Sequence, residues 1–405
     1  MNNKFRMKQT EMGIFPEEWE VKKWGDLATL EYGKSFRDYS YSTGEYPVFG
    51  TNGQIGWSNE YLCHTDGVII GRKGAYRGVR YSATPFFVID TAFFLKPKED
   101  FDIKWAYYEL LSHNINSLDS GSAIPSTSRT DFYSIRVGIP PLKEQQNIGK
   151  ILYDIDSKIE LNQQMNKTLE SIAQALFKHW FIDFEFPDEN GQPYKSSGGE
   201  MVDSELGEIP QNWEIKRLDE VADFLNGLAL QKYPAINENN YLPVIKIKEM
   251  NSGISESSDK ASSDIPSEYI VDDGDILFAW SGSLGVSIWC NGKGALNQHL
   301  FKVTSLTYPK WFYYRWLLSY LPEFIDIARD KATTMGHIQR HHLSESLVAV
   351  PDTSTIAVMN DIFNPVMERI INLKIENKTL ATIRDSLLPK LISGKIRVPL
   401  EDTDA

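Results

Sequence analysis

The sequence contains four blocks that recur in the same order in its two halves. NKTLESIAQALFKHWF at residues 166–181 returns as NKTLATIRDSLLPKLI at residues 377–392. The other three pairs of blocks begin at Gly13 and Gly207, at Gly67 and Gly274, and at Lys104 and Lys310. Four recurring blocks in one order predict a tandem duplication in which each half folds to the same plan. Length agrees, because 405 residues exceed what one hydrophobic core usually serves.

Each half combines short apolar runs with one long helical stretch. GVIIG, PFFVIDTAFFL, YLPVIKIK and GDILFAW are rich in strand-forming residues and are separated by clusters of Gly, Asn, Ser and Pro. KWAYY and KWFYY predict helices whose aromatic residues lie in the core. In the long helical stretches apolar residues recur every seven positions, which predicts a coiled-coil seam. The repeat supplies the second helix of that seam. We therefore predict an α+β fold with two similar domains on a two-helix spacer.

The repeat also sets the predicted boundaries. The segments are a first domain at 1–142, a first long helix at 143–185, a linker at 186–208, a second domain at 209–352, a second long helix at 353–398 and a tail at 399–405. The predicted helix seam consists of Ile155, Asn162, Leu169, Ile172, Leu176, Val366, Leu373, Leu380, Ile383 and Leu387. Asn162 on the seam would favour one helix register. Asn364-Pro365 predicts either an N-cap with proline at the first helical position or a kink.

Composition excludes several classes of protein. Hydrophobic residues make up 41% of the chain, which argues against disorder. The N-terminal segment lacks the apolar stretch of a signal peptide, and no apolar run reaches 18 residues, so we expect a soluble cytoplasmic protein. Cys63 and Cys290 have no metal-ligand spacing and lie at non-equivalent points of the repeat. We therefore expect buried, inert thiols rather than a disulfide or a zinc site.

The net charge of −13 is unevenly distributed along the chain. Residues 143–212 carry 6 basic and 13 acidic groups, which is more than half of the excess. Residues 67–80 and 276–322 contain no acidic residue, and each window carries four Lys or Arg residues. A phosphate backbone responds to charge within about a Debye length, roughly 8–10 Å. The acidic total therefore does not exclude DNA as a ligand.

The motifs that would indicate catalysis or cofactor binding all fail on spacing or composition. YGKS at 32–35 resembles the end of a phosphate-binding loop, but Ala28 stands where that motif requires glycine. GRKGAYRG has the wrong spacing for a dinucleotide-binding loop, and IPPL at 139–142 lacks the Asn or Asp of an amino-methyltransferase. The histidines, at positions 64, 113, 179, 299, 337, 341 and 342, show no metal-ligand spacing, and His341 and His342 are expected to diverge. We expect neither a catalytic centre nor a metal in this chain.

Two similar domains on a spacer suit a long ligand that is read at two separated patches. Duplex DNA offers such patches about every 34 Å along one face. Glycines at positions 74, 78, 282 and 285 would let loops approach a groove closely, and nearby donors can read base edges or hold phosphates. The predicted DNA-binding residues are Lys34, Arg37, Arg72, Lys73, Tyr76, Arg77, Arg80, Ser126, Ser128, Arg129, Lys246, Lys248, Trp280, Ser281, Ser283, Lys293, Gln298, His299, Gln339 and Arg340.

Several longer motifs carry a family resemblance that spans essentially the whole chain. They are IPxxWE at Ile209–Glu214 with its copy FPEEWE from Phe15, IPPLKEQQ at Ile139–Gln146, LFKHWF from Leu176, SGGEMVDSELGEIP in the linker and LLPKLISGKIRV from Leu387. With these motifs the chain resembles the specificity subunit of a type I restriction–modification system. The resemblance implies two target-recognition domains that read the halves of a bipartite site in double-stranded DNA, spaced by antiparallel helices.

The resemblance also implies partners and the location of cofactors. Two methyltransferase subunits would dock on the helices and bind S-adenosylmethionine, and ATP-driven restriction subunits that use Mg would join outside them. This chain itself would be non-catalytic and hold no cofactor. Thr355-Ile356 stands where the first repeat has Glu144-Gln145, and Pro365 replaces Asp154, which leaves open whether both partners dock equally. Two alternatives remain at this point: a coiled-coil scaffold that binds protein instead of DNA, and an enzyme with an unrecognised site.

Overall fold

The computed structural model describes residues 6–36, 43–119, 121, 125–237, 239–330 and 336–398. The chain divides into two compact units, Met1–Ile159 with Leu380–Ala405, and Glu160–Thr379. Each unit therefore holds one of the repeated domains together with part of each long helix. Within the described ranges, none of the helices combines the length and the apolar character that crossing a membrane requires.

The first unit consists of short strands followed by helices. In chain order these are β1 (Met7–Thr10), β2 (Gly13–Pro16), β3 (Glu20–Lys23), α1 (Trp24–Leu27), β4 (Ala28–Tyr32), β5 (Tyr46–Gly50), β6 (Gly53–Ser58), β7 (Gly67–Gly71), β8 (Val79–Ser82), β9 (Phe87–Val88), β10 (Ala92–Pro97), α2 (Ile103–Leu111), a 3-10 turn (Ile115–Ser117), α3 (Arg129–Ser134), β11 (Arg136–Ile139) and the first long helix α4 (Leu142–Phe177). The main sheet is antiparallel with strand order β4-β10-β7-β8, and a smaller sheet has the order β6-β5-β9. β1 pairs with β2, and β3 pairs with β11.

Aromatic side chains fill the core of this unit where helices cover the main sheet. The Trp24 ring centroid lies 6.2 Å from that of Trp105 and 6.1 Å from that of Phe132, and all three residues are fully buried. Asp102 begins α2, because its carboxylate accepts a hydrogen bond from the Trp105 backbone N–H at 2.8 Å. The copies KWAYY and KWFYY supply core residues in both units, as predicted, since Trp311 is 1% exposed.

The second unit repeats this order with longer insertions. Its elements are a π-helical turn (Lys178–Ile182), β12 (Met201–Ser204), β13 (Gly207–Pro210), β14 (Glu214–Arg217), α5 (Leu218–Val221), β15 (Asp223–Asn226), a 3-10 turn (Leu230–Lys232), β16 (Tyr241–Ile245), α6 (Ile247–Ser252), β17 (Lys260–Ser262), a 3-10 turn (Ser267–Tyr269), β18 (Ile270–Val271), β19 (Ile276–Ala279), β20 (Gly285–Ile288), β21 (Gly294–Leu296), β22 (Leu300–Thr304), α7 (Lys310–Asp330), α8 (Arg340–Glu345), β23 (Leu347–Val350) and the second long helix α9 (Thr353–Ile392). The main sheet, β15-β22-β19-β20, corresponds to that of the first unit.

Strand pairing fixes which residues of the two repeats are equivalent. One row of paired residues crosses each main sheet: Tyr32, Phe93, Ile70 and Val79 in the first, and Asn226, Phe301, Phe278 and Val286 in the second. Ile70 therefore corresponds to Phe278, whereas aligning Gly67 with Gly274 in the sequence pairs it with Leu277. A shift of one residue turns a strand's side chains to the other face, so the sequence alignment of this block is corrected by one position.

The two long helices end within the segments that the sequence predicts for them. The helical run of α4 and its π-helical turn stops at Ile182, and α9 stops at Ile392. α9 runs through Pro365, so an N-cap at Asn364 is ruled out. Asp352 begins this helix instead, and its Oδ1 accepts the backbone N–H of Thr355 at 3.0 Å.

Within each unit the segments of α4 and α9 run antiparallel. In the first unit Asp156 pairs with Arg384 at 2.7 Å, while Glu144, earlier in α4, pairs with Arg397, later in the chain. In the second unit the Asn162 amide donates to Glu376 at 2.9 Å, while Trp180 packs on Phe363 further along both segments. Polar groups therefore take part in the helix contacts of both units.

The predicted seam residues form two lines along the helices: one recurs every seven positions from Ile155 and from Val366, and a neighbouring one includes Ile172 and Ile383. The structure uses only the first line. Asn162 and Leu373 are fully buried, and the half-buried residues of this line are Ile155, Leu169, Leu176, Val366, Leu380 and Leu387. Ile172 and Ile383 are 45% and 42% exposed, so their predicted place in the seam is corrected. The second line is instead Leu152, Ile159, Asn166 and Ala173 in α4, and Phe363, Ile370, Asn377 and Arg384 in α9. Half of these residues are small or polar. Choosing seam residues by apolar character alone therefore selects the exposed line with Ile172 and Ile383 instead.

The two cysteines differ in their surroundings. Cys290 is buried, and burial raises the pKa of its thiol to about 11, as expected for an inert group. Cys63 is only half-buried, which corrects the expectation for that residue. Both are free thiols.

Candidate nucleic-acid interface

One edge of the main sheet carries most of the predicted DNA-binding residues in each unit. In the first unit β4 and β7 end, and β8 and β10 begin, at this edge, so residues 33–36, 72–78 and 89–91 emerge side by side. In the second unit residues 227–229, 280–284 and 297–299 do the same. We call these two sets of loops the first and the second loop edge.

The centre of the first loop edge is Tyr32, whose ring lies between two arginines. The guanidinium carbon of Arg72 is 4.8 Å from the ring centroid, and that of Arg129 is 5.1 Å from it. Arg72 Nη1 donates to the Asp90 carbonyl oxygen at 2.9 Å, and Arg129 Nη2 donates to the Tyr133 hydroxyl at 2.9 Å. The hydrogen bond to Tyr133 raises the pKa of Arg129 above its ordinary value. These contacts fix where both guanidinium groups point.

Further donors surround this cluster. Lys73 Nζ lies 3.5 Å from the Asp90 carboxylate, and both side chains are about half exposed, so the pair contributes little to stability. Lys34 is exposed at the end of β4, and Tyr76 is 78% exposed in the loop after β7. The cations of the first loop edge thus outnumber its one carboxylate. The local field favours a polyanion although the whole chain is acidic.

Backbone hydrogen bonds join the loop after β7 to the segment that contains Pro125 and Thr127. Gly74 has φ of 116°, a conformation that favours glycine, and its N–H donates to the Pro125 carbonyl at 2.9 Å. The Thr127 N–H donates to the Arg72 carbonyl at 2.8 Å, and the Thr127 hydroxyl donates to the Gly71 carbonyl at 2.7 Å. The second unit has equivalent backbone hydrogen bonds at the corresponding positions. The duplication therefore includes the loops.

Arg77 lies in the first loop edge, but its side chain is buried, contrary to the prediction. It is only 3% exposed, and its Nη2 donates to the Asn116 carbonyl oxygen at 2.7 Å. Its backbone N–H donates to the Asn116 side chain at 2.8 Å. A guanidinium buried in this way holds the 3-10 turn at Ile115–Ser117 and cannot reach a nucleic acid, so the predicted DNA contact is corrected.

Four other predicted residues of the first unit have varied positions. Ser128 is the N-cap of α3 and accepts the Asp131 backbone N–H at 3.2 Å, so its hydroxyl has a structural role. Ser126 is half-buried beside the loop after β7, and the exposed Arg80 donates to the Asn52 carbonyl at 3.1 Å. Arg37 lies outside the described residues.

The second loop edge has different chemistry at the same positions. Trp280 corresponds to Arg72, and Asn226 corresponds to Tyr32, by the pairing of the two main sheets. The Trp280 indole N–H donates to the Asn226 side-chain oxygen at 3.0 Å. The His299 ring centroid lies 6.1 Å from that of Trp280. An indole and an amide therefore replace the guanidinium and the phenol of the first unit.

Amides and imidazoles supply most of the polar groups at the second loop edge. Ser281 is buried with its Oγ 3.1 Å from His299 Nδ1, so its predicted DNA contact is corrected. Gln298 Nε2 lies 3.4 Å from His299 Nε2. Gln339 and Arg340 are exposed at the start of α8, and Ser283 is exposed in the loop after β19. Such side chains offer both donors and acceptors, whereas the first loop edge offers mainly donors.

Helix α6 lies beside this second edge. A Cβ built on Gly282, whose φ is 69°, would lie 3.6 Å from Ile247 Cδ1. Lys246 and Lys248 on this part of the chain are exposed, and Lys246 forms an ion pair with Asp259. Their predicted contacts with DNA stay predictions.

Lys293 lies at the opposite end of the main sheet. It follows β20, whose last residue, Ile288, pairs with the first residue of β19. Its Nζ is 3.8 Å from the Asp272 carboxylate, and the neighbouring Gly292 N–H donates to Asp273 at 2.7 Å. Among these acidic groups Lys293 is far from Trp280 along the strands, so its predicted place in the interface is corrected.

The adjacent histidines of α8 come together rather than diverge. Their ring centroids are 4.0 Å apart, and one ring nitrogen of each lies within 4.8 Å of a Glu345 carboxylate oxygen. However, His342 Nδ1 accepts the Gln339 backbone N–H at 3.0 Å. A neutral ring that accepts at Nδ1 carries its proton on Nε2, so His342 has no nitrogen available for a metal. The expected divergence is wrong, but His341, His342 and Glu345 do not form a three-ligand site.

The sequence reasoning missed Tyr32, Asn226 and Asp90. It also missed His337, whose ring centroid lies 6.4 Å from that of Trp280. Tyr32 and Asn226 immediately precede Gly33 and Gly227, two glycines that the repeat shares. A Cβ at Gly33 would lie 2.0 Å from the Ile89 carbonyl oxygen, and a Cβ at Gly227 would be equally crowded. A glycine present at the same point of both copies thus marks the loop edge.

Comparison with known proteins shows the family. The sequence profile described as the type I restriction modification DNA specificity domain matches the chain twice, over residues 16–171 and 210–383. The chain belongs to this family. Each match contains one loop edge, so both loop edges lie in specificity domains, and the family expected from the sequence motifs is confirmed.

Similar proteins cover nearly the whole chain. The type I restriction enzyme MjaIX specificity subunit of Methanocaldococcus jannaschii is 26% identical over an alignment 424 positions long, gaps included, which covers 96% of this chain and 96% of the relative. The HindI specificity subunit of Haemophilus influenzae is 25% identical and covers 67% of this chain and 71% of its own. The crystal structure of the S subunit from M. genitalium covers 97% of both chains at 15% identity with a TM-score of 0.65. This likeness confirms the predicted fold class.

Proposed function

We propose that this chain is the DNA specificity subunit of a type I restriction–modification complex, and that each loop edge binds one half of a bipartite site in double-stranded DNA. The observation that carries the proposal is the pair of loop edges, which have equivalent backbones and different side chains. Arg72 and Trp280 occupy the same position, as do Tyr32 and Asn226. Two equivalent surfaces with different donor and acceptor patterns suit two different short base sequences.

The charges at the loop edges support a nucleic-acid ligand. Arg72, Lys73 and Arg129 cluster at the first edge, and Lys34 is exposed nearby. Phosphate contacts from such residues position a protein on DNA, while base contacts give sequence specificity. The excess acid of residues 143–212 lies in α4 and the linker, not at this edge.

Exposed apolar residues on the long helices support docking of partner subunits. Val358 and Ile362 on α9 are 64% and 42% exposed, and Leu161 and Ile172 on α4 are 51% and 45% exposed. These residues lie outside the seam, and exposed apolar patches of this kind mark protein contacts. We propose that two methyltransferase subunits dock on these helices and that restriction subunits join through them.

The difference between Glu144 and Thr355 in the two repeats concerns internal packing. Glu144 is fully buried and accepts the Trp19 indole N–H at 3.0 Å. Trp213, the counterpart of Trp19, packs instead on Phe184, with ring centroids 5.5 Å apart. The loss of this carboxylate in the second repeat is therefore no argument against equal docking of two partners.

The proposal places the chemistry on the partner subunits of a cytoplasmic complex. The methyltransferase subunits would bind S-adenosylmethionine and methylate adenine, and the restriction subunits would use ATP and Mg. The present chain would be a non-catalytic subunit that determines where these reactions occur. Its own residues would bind DNA and hold the partners.

Methylome sequencing of cells that express the chain with its methyltransferase partners tests the proposal. We expect methylated adenines in a bipartite motif. Replacing residues 13–140 by the corresponding domain of a relative should change one half of that motif and leave the other unchanged. Methylation without a bipartite motif would contradict the function, and a change in both halves would contradict independent recognition. If the chain were instead a scaffold that binds only protein, the assembled complex would show no salt-sensitive binding to DNA.

A further inference from the structure

Arg72 is held in one orientation at the first loop edge. Its guanidinium carbon lies 4.8 Å from the Tyr32 ring centroid and 5.7 Å from that of Phe93, and Nη1 donates to the Asp90 carbonyl. The Tyr32 and Phe93 rings are themselves in contact, with centroids 5.0 Å apart. Arg72 follows Ile70 by two residues, so its side chain leaves the sheet on the same face as these rings.

Most donors of this guanidinium remain available. Among the described residues its only hydrogen bond is the one from Nη1 to Asp90, and arginine carries five N–H groups. The residue is half-buried, so part of its side chain remains accessible to a ligand. An arginine that the protein already holds in place loses less conformational freedom on binding than a flexible one.

The hydrogen-bonding pattern of the Arg72 guanidinium group favours contact with one of the four bases. A planar guanidinium matches the O6 and N7 acceptors of guanine in the major groove through two parallel hydrogen bonds. Arg129 and Lys73 flank Arg72 and provide charges for the phosphates. We propose that Arg72 reads a guanine in the half-site bound by the first unit. This inference rests on the proposed DNA-binding function, and it names one base that the half-site bound by the first unit contains.

The second unit cannot make the same contact at the corresponding position. Trp280 has a single polar hydrogen, and its N–H is donated to Asn226 at 3.0 Å. The proposal therefore assigns this guanine requirement to one half of the bipartite site only. The alternative role for Arg72 is a phosphate contact, which would be independent of sequence.

The test uses the assembled complex of this chain with its methyltransferase subunits and a site defined by the wild-type methylome. Each guanine of the half-site assigned to the first unit is replaced in turn by adenine, with its partner base changed to match, or by 7-deazaguanine, which lacks the N7 acceptor. At one position we expect adenine to weaken wild-type binding about 5- to 150-fold. At that position 7-deazaguanine should cause a smaller loss, and R72Q should no longer prefer guanine to either replacement.

Two further variants make the result decisive. R72K keeps the positive charge without the planar fork, so its preference for guanine should be smaller than that of the wild type. R136Q is the matched control: Arg136 lies on β11, pairs with Glu11 and is away from the loop edge, so the wild-type response should persist. If R72Q keeps the full guanine preference, or if it weakens all sequences equally with a smaller salt dependence, Arg72 does not read a base. Should R72Q fail to fold, R72K answers the question. Absence of sequence-dependent binding by the wild type would instead refute the proposed function.

Discussion

Replacing Arg397 by alanine should destabilise the first unit by about 3–5 kcal/mol, because it leaves a buried carboxylate without its counter-ion. Glu144 is fully buried at the start of α4. Its oxygens accept Arg397 Nε at 2.7 Å, Arg397 Nη2 at 2.9 Å and the Trp19 indole N–H at 3.0 Å. The Arg397 side chain is 8% exposed, so water cannot replace it without rearrangement. The pair ties the segment after α9 to the beginning of α4.

The size of the effect can be measured by thermal and denaturant unfolding of the full chain. For a unit of this size 1 kcal/mol corresponds to roughly 2–4 °C, so the transition of the first unit should fall by roughly 6–20 °C. K395A is the matched control, since Lys395 is exposed two residues earlier, and it should change stability by less than about 0.5 kcal/mol.

A double replacement separates the ion pair from simple loss of packing. E144M/R397M removes both charges and keeps apolar volume, so most of the stability should return. A deficit of about 1–3 kcal/mol should remain, because the Trp19 N–H is left without its acceptor. If R397A destabilises by less than about 1 kcal/mol, or if the double variant is as unstable as R397A, the carboxylate is not the cause and the reasoning fails.

Three other perturbations test separate features of the structure. Burial lowers the pKa of His113, but its hydrogen bond to the buried Glu109 and the negative charge of that carboxylate together outweigh burial and raise the pKa above its ordinary value. Its stabilisation is therefore complete below about pH 6.5 and is lost as pH rises through the folded-state pKa, a dependence that urea midpoints should show and H113Q should lack. G227A should destabilise the second unit by about 1–3 kcal/mol in the same assay, because a Cβ would lie 2.3 Å from the Asn297 carbonyl oxygen; an unchanged midpoint would contradict this geometry. I172K should leave stability within about 0.5 kcal/mol but reduce co-purification of the methyltransferase subunits, whereas strong destabilisation would return this residue to the seam.

The sequence alone determined the duplication, the α+β class, the two long helices and the family. These conclusions depend on local patterns: recurring blocks, apolar residues every seven positions and motifs such as IPPLKEQQ. It also located the loops that carry Arg72 and Trp280, because their neighbourhoods contain glycine and lack acid. It could not distinguish the half-buried Arg72 from the buried Arg77, since both are cations in one short window.

Only the tertiary structure decided which of these residues lie together. Strand pairing brings Tyr32, from the end of β4, against Arg72 and Arg129, which are 40 or more residues away along the chain. The same pairing places Lys293 at the opposite end of its sheet. The sequence assigns Ile172 to the seam because the residue is apolar. Apolar character predicts that a side chain is buried, but it does not show which neighbouring residue buries it. Contacts between distant segments are set by the register of the whole sheet or helix pair, and a local window of sequence contains no measure of that register.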